Sequence, residues 1–234
     1  MIELSVEGFR VFCKNREEAF SIRHEIFSAH SYYFETENPE PVILDIGAHI
    51  GLATLYFKKL YPHAHITAVE PHPTSFAMLK KNCDENMLTH VILHQAALVD
   101  NAEKHPRLTV HTDQAGKWLS TTGVVPQAWN GEQLTNELSV PTLTLESLIT
   151  GPIDVLKMDI EGAEQKVLMA TQKGLRQVQE LFVEFHPHAG QDLAVLSRFL
   201  EESGFDLSYT QDGKEQKLDA VNPRRLILLY GSRS

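Results

Sequence analysis

The stretch VILDIGAHIGLATL, residues 42–55, decides how the rest of the chain is read. Val42 to Ile46 is a short apolar run interrupted only by Asp45, and Gly47 ends it. Leu52 to Leu60 then reads as a helix. A strand that turns through glycine into a helix presents free N–H groups at the helix start, where an electronegative ligand is favoured. Gly47 allows a tight turn with close backbone approach, and Gly51 lets the helix pack near the strand. The spacing is G-x-x-x-G with Ala48 after the first glycine, not the G-x-G-x-x-G of dinucleotide sites, so no pyrophosphate cradle is expected.

Working outward, short apolar runs alternate with helical patterns. Ile66 to Val69 is a second strand, stopped by Glu70 and Pro71, and Thr74 is the expected N-cap of a helix reaching about Asn86. Val91–Leu93, Ile153–Met158 and Leu181–Phe185 are further strands. Gly162–Ala170 and Leu193–Glu202 are helices, the second closed by Gly204. Phe205–Tyr209 and Leu226–Tyr230 finish as strands, expected as an antiparallel pair at one sheet edge. Nearly continuous apolar strands alternating with helices predict an α/β fold whose mostly parallel sheet carries helices on both faces. Residues 1–40 form a lead-in with a helix expected from Glu17 to Tyr33, and the main domain spans 41–234. Residues 100–140, with Trp118 and Trp129, are polar and irregular, an expected insertion over the active edge.

A parallel sheet gathers the C-terminal strand ends around a ligand crevice. Glu70, ending the second strand, is placed to accept the ribose hydroxyls of an adenosine cofactor. Small residues at Gln95–Ala97 suit an adenine, Ala97 among them. The fourth strand runs into LKMDIEGAE at 156–164, which brings Asp159 and Glu161 to the crevice, to orient a substrate or hold a cofactor's amino group. Glu164 reads as a first-turn helix acid. The fifth strand ends in VEFHP at 183–187, and alternation puts Glu184 and His186 on one side. His186 is the side chain best suited to accept a proton near neutral pH, whereas His188 reads as a surface residue. Asp159, Glu184 and His186 are reasonable ligand types for a divalent ion, but spacing dictates no further ligand and no metal is expected.

VILDIGAHIGLATL, LKMDIEGAE and VEFHP together resemble the FkbM family of methyltransferases, over roughly residues 40–210. The resemblance implies a Rossmann-like class I methyltransferase fold with a seven-stranded sheet whose last strand is antiparallel. It implies S-adenosylmethionine as cofactor and methyl transfer to a hydroxyl oxygen of a natural-product or sugar scaffold, free or carrier-bound. Asp45, Gly47, Ala48, His49 and Gly51 match the cofactor loop, Glu70 the ribose acid, and Asp159 and Glu161 the acidic block. His49 departs from the family, which often has Asn there, at the position the resemblance sets near the cofactor's methionine end.

Composition narrows the alternatives. With 234 residues, 42% hydrophobic and 22% charged, the chain can bury a full core without disulfide staples. Its formal charge of −10 disfavours nucleic-acid and anionic membrane surfaces. Cys13 and Cys83 make no disulfide framework, and no signal peptide or 18-residue apolar run is read, so a cytoplasmic location is expected. A nicotinamide oxidoreductase would need the absent dinucleotide pattern. A non-catalytic cofactor-binding module would not need Asp159, Glu161 and His186 together. A nucleic-acid methyltransferase is disfavoured by the charge and by the lack of an Asn-Pro-Pro-aromatic tetrapeptide.

Overall fold

A computed structural model describes residues 1–112, 136–187 and 190–233. Trp118, Trp129 and His188 lie outside the described residues. The chain opens with a hairpin, β1 (Ile2–Val6) and β2 (Phe9–Cys13), joined through Glu7 and Gly8, both at positive φ. Leu4 and Val6 are buried and alternate with exposed Glu3 and Ser5, and Val11 is buried next to exposed Arg10. That period of two is a strand signal the helical reading of the lead-in left out.

Helix α1 (Arg16–Arg23) starts at Asn15, whose side chain accepts from the N–H groups of Glu17 and Glu18, and continues as a π-helical turn over His24–Ser28. The expected helix to Tyr33 ends early. The chain reverses at His30, at φ +55°, and this drops Tyr32 and Phe34 into the core. Then come β3 (Val42–Ile46), α2 (Leu52–Leu60), β4 (His65–Val69), α3 (Pro73–Glu85) and β5 (Val91–His94). The cap of α3 is His72 rather than Thr74, because Pro73 supplies the preset φ of a first helical residue.

The segment expected to be irregular is bounded by strands. β6 (Ala97–Leu98) pairs in parallel with β8 (Asn136–Leu143), and β7 (Arg107–Thr112) pairs antiparallel with β8. Val110 and Val140 are buried there. The remaining elements are α4 (Leu145–Leu148), β9 (Ile153–Met158), α5 (Glu164–Ala170), β10 (Val178–Phe185), α6 (Leu193–Glu202), β11 (Asp206–Gln211), β12 (Lys214–Gln216) and β13 (Ile227–Ser232).

The main sheet runs β12-β11-β13-β10-β9-β3-β4-β5. β10, β9, β3, β4 and β5 are parallel neighbours, and β13 is antiparallel to both β10 and β11. The seven expected strands are present with the last one antiparallel, and the short β12 adds an eighth. β11 and β13 do pair as expected, but β13 inserts between β11 and β10 rather than lying at the edge. One core layer packs Leu145, Leu168, Leu196 and Leu200 against Leu44, Leu156 and Val183. The opposite layer packs the hairpin, α1 and α2 through Val11, Phe27, Leu55 and Phe57 against Ile43, Ile66 and Phe182. Burial on both faces explains why the central strands read as continuous apolar runs.

Candidate active site

The C-terminal ends of β3, β4, β9 and β10 open into one cleft of about 1150 Å³, mouth included. Gly47, Ala48, His49, Glu70, Ala97, Asp159 and Glu161, all expected from the sequence, line it. Asp45, Gly51 and His186 do not. Asp45 is fully buried beneath the loop. Its Oδ2 accepts a 2.6 Å hydrogen bond from Thr54 Oγ1, and its Oδ1 lies 3.6 Å from Lys157 Nζ.

The two glycines answer to packing. Gly47 has φ +76°, and a Cβ there would stand 1.7 Å from the backbone oxygen of Asp159. The backbone just past β9 therefore lies directly against the loop, and the loop is pinned by the N–H groups of Gly47 and Ala48 donating to Val69 O. A Cβ on Gly51 would meet Leu79 Cδ1 of α3 at 2.7 Å, so this glycine admits a helix rather than the strand inferred from sequence. Lys157 donates from below to Gly47 O at 2.7 Å and approaches Asp159 Oδ2 at 3.6 Å. Its ammonium ties loop, strand and acidic block together.

Glu70 is buried with both carboxylate oxygens already oriented: Oε2 accepts from His49 N–H and Oε1 from His72 N–H, each at 2.8 Å. Burial pushes its pKa up to about 7, against the opposing pull of those two N–H groups and of Lys157. His49, at φ +50°, reaches Glu18 Oε1 of α1 with Nε2 at 3.3 Å. The buried Asn82 of α3 braces the same region. It exchanges hydrogen bonds with the backbone of Phe12 and donates to Ile50 O at 2.7 Å.

The acidic block and the end of β10 form the other wall. Glu161 is in the left-handed region at φ +57°, a backbone state that surrounding structure has to hold in place. His186 is 1% exposed. Its Nδ1 meets Glu164 Oε1 at 3.0 Å, while Nε2 faces Glu161 Oε2 at 3.4 Å and Asp159 Oδ1 at 3.8 Å. Burial alone would lower the imidazole pKa, but Glu161, Glu164 and Asp159 outweigh it and raise the pKa well above its ordinary value. Glu164 does stand in the first turn of α5 and also has a larger task. Fully buried, it accepts from the N–H groups of Ile160 and Gly162 and from Gln191, which fixes the Asp159–Gly162 loop beneath His186. Glu184 lines the cleft, accepts a hydrogen bond from Tyr32, and has a pKa pushed up to about 8 by burial and by the charges of Asp159 and Glu25.

Several wall residues come from segments in which sequence reading placed no site residue. Ile22, Glu25, Ile26 and Tyr32 reach the cleft from the lead-in, and Leu108 and Val110 from β7. The alternation of Leu108, Val110, Leu138 and Val140 with Thr109 and Ser139 was the available signal for the paired strands. No local pattern marks Tyr32 or Glu25, because only the sheet brings them to Glu184.

No described helix is long and apolar enough to cross a membrane. Residues 45–207 match the Methyltransferase FkbM domain. The chain is 30% identical to the methyltransferase sdnD of Sordaria araneosa, over 88% of this chain and 89% of that one. It is 25% identical to the 31-O-demethyl-FK506 methyltransferase FkbM of Streptomyces tacrolimicus, over 88% of each. The crystal structure of a methyltransferase FkbM from Methylobacillus flagellatus superposes with a TM-score of 0.57 at 16% identity, over 87% of this chain and 47% of the other. The glycine loop, the acid ending β4 and the acidic block thus meet in one cleft of a Rossmann-like fold, and the chain belongs to the FkbM family of methyltransferases.

Proposed function

We propose that the protein transfers a methyl group from S-adenosylmethionine to a hydroxyl oxygen of a small molecule, with a natural-product, peptide or sugar scaffold as acceptor. The carrying observation is the convergence of the Gly47 loop, Glu70 and Asp159 on one cleft lined by both apolar and charged side chains. The name of the Streptomyces relative, which specifies a 31-O-demethyl substrate, supports oxygen as the acceptor atom. In this reading Glu70 accepts the ribose hydroxyls and Ala97 passes the adenine. His49 N–H stays engaged with Glu70, and Asp159 and Glu161 orient the cofactor's ammonium and the acceptor.

Methyl transfer is an in-line displacement at the sulfonium carbon. The acceptor oxygen forms a bond to the methyl carbon, and the carbon–sulfur bond breaks with its electron pair going to sulfur. Alignment supplies much of the acceleration. The hydroxyl proton leaves to a carboxylate on the cleft wall. His186, expected to take this proton itself, lies behind that wall against Asp159 and Glu161, so its assigned role is to position them. The α1 segment, through Ile22, Glu25 and Ile26, caps the acceptor.

Calorimetric titration with S-adenosylmethionine and S-adenosylhomocysteine, alongside Glu70→Ala, tests the reading. Micromolar binding, weakened at least about tenfold in the variant, is expected and would justify a screen of hydroxylated acceptors. Failure of both compounds to bind would sink it.

A further inference from the structure

We propose that Asp159, Glu184 and His186 form a divalent-cation site on the cleft wall, one that takes Mg²⁺ or Mn²⁺ and offers it to an acceptor oxygen. Sequence spacing gave no reason to expect a metal; the fold supplies one. One ligand atom from each residue lies within 4.8 Å of the other two. The three come from adjacent strand ends, Asp159 just after β9 and Glu184 and His186 from β10 onward, so the sheet itself sets their separation. His186 is already aimed: Glu164 engages its Nδ1, and Nε2 faces the acidic block, with Glu161 Oε2 at 3.4 Å and Asp159 Oδ1 at 3.8 Å. A buried carboxylate that fixes the far nitrogen of an imidazole is the usual second support of a metal-bound histidine.

The charge around the cleft points the same way. Glu25, Glu70, Asp159, Glu161 and Glu184 line it, against Lys157 as the one Lys or Arg among the described lining residues. Lys157 is committed to the carbonyl of Gly47 at 2.7 Å and is shared between Asp45 and Asp159 at 3.6 Å each. Carboxylates withdrawn from water need compensating positive charge. The cofactor brings a sulfonium and an ammonium against its own carboxylate, a net of one positive charge, and the five carboxyl groups still outnumber the cationic groups of Lys157, His186 and cofactor. Two carboxylate oxygens and one imidazole suit a hard or borderline cation of the Mg²⁺ and Mn²⁺ type over a thiophilic one. Three protein ligands leave the remaining positions of an octahedral ion for water and for an oxygen of the acceptor, because Asp159 and Glu184 face the cleft while His186 holds the ion from behind. The acceptor's part in this rests on the methyltransferase reading, whereas cation binding does not.

The test is Mn²⁺ titration of chelator-stripped protein by calorimetry and electron paramagnetic resonance, for the native chain, Asp159→Asn, Glu184→Gln and the exposed control Glu215→Gln. Saturable binding is expected, weakened about tenfold or more in the first two variants and unchanged in the control, with nitrogen coupling to the bound Mn²⁺ from His186 in the native protein. The nitrogen coupling needs no variant, so misfolding of Asp159→Asn or Glu184→Gln leaves the proposal testable. Absence of binding, of nitrogen coupling, or of any difference between the site variants and the control would overturn it. S-adenosylmethionine affinity measured in chelator keeps the two readings apart: cofactor binding without Mn²⁺ binding ends the cation site and leaves methyl transfer standing.

Discussion

Replacing Gly47 by alanine tests why the first glycine of the loop is there. The sequence suggests room for a ligand; the structure places the backbone oxygen of Asp159 1.7 Å from where the new Cβ would stand. That oxygen belongs to backbone that cannot rotate away, so strand end and loop would have to separate. Two costs add. A non-glycine residue in the left-handed region costs about 1–2 kcal/mol, and forcing volume into a packed region costs about 1–3 kcal/mol. The sum, about 2–5 kcal/mol, is a large share of the roughly 5–15 kcal/mol that holds a domain folded. Gly8→Ala is the matched control. Its φ is +94°, but nothing lies within 4 Å of its would-be Cβ, so it carries the backbone cost alone. Urea unfolding of both variants, with unchanged slope, gives the difference directly. Gly47→Ala should be less stable than Gly8→Ala by about 1–3 kcal/mol and should bind the cofactor more weakly, because the displaced strand end carries Asp159. Stability of Gly47→Ala within about 0.5 kcal/mol of the control would refute the crowding argument, and loss of cofactor binding alone would return Gly47 to the ligand.

Glu70 carries a pH signature. Its pKa of about 7 in the unliganded cleft means that it holds a proton below neutrality, while accepting ribose hydroxyls requires the carboxylate. Affinity for S-adenosylmethionine should therefore fall as pH drops below about 7, by up to about tenfold per unit. Glu70→Gln should bind more weakly and lose that dependence; identical pH profiles in the two proteins would remove Glu70 from the ribose. Asn82→Ala deletes three hydrogen bonds that join α3 to the backbone of Phe12 and Ile50. Thermal or urea unfolding should show a loss of about 2–4 kcal/mol, and a loss below about 0.5 kcal/mol would mean that the hairpin is held by its apolar contacts and by the bonds of Arg10 to Glu85 and Asn86. Tyr32→Phe removes the donor to buried Glu184 and should cost about 1–3 kcal/mol in unfolding free energy; an unchanged midpoint would show that Glu184 needs no partner from the lead-in.

The sheet's central strands were legible in the sequence because both their faces are buried, so each appears as a mostly apolar run, broken by single polar residues such as Asp45 and Lys157. Val42–Ile46 and Ile153–Met158 stand in the structure where the runs placed them, and the α2 pattern matches its helix end to end. Residues that follow such strands are delivered to the cleft by the geometry of a parallel sheet, and that is why Glu70, Asp159 and Glu161 could be named from sequence. β1, β2, β7 and β8 were missed because half-exposed strands show only a weak alternation, one easily taken for loop or helix. Tertiary structure decided the remainder. That Gly47 yields to the Asp159 backbone, that Gly51 yields to Leu79, that His186 lies behind the wall among carboxylates, and that Tyr32 meets Glu184 across 152 positions are all contacts between distant segments. Periodicity records which face of an element is buried; it carries no record of what that face is buried against.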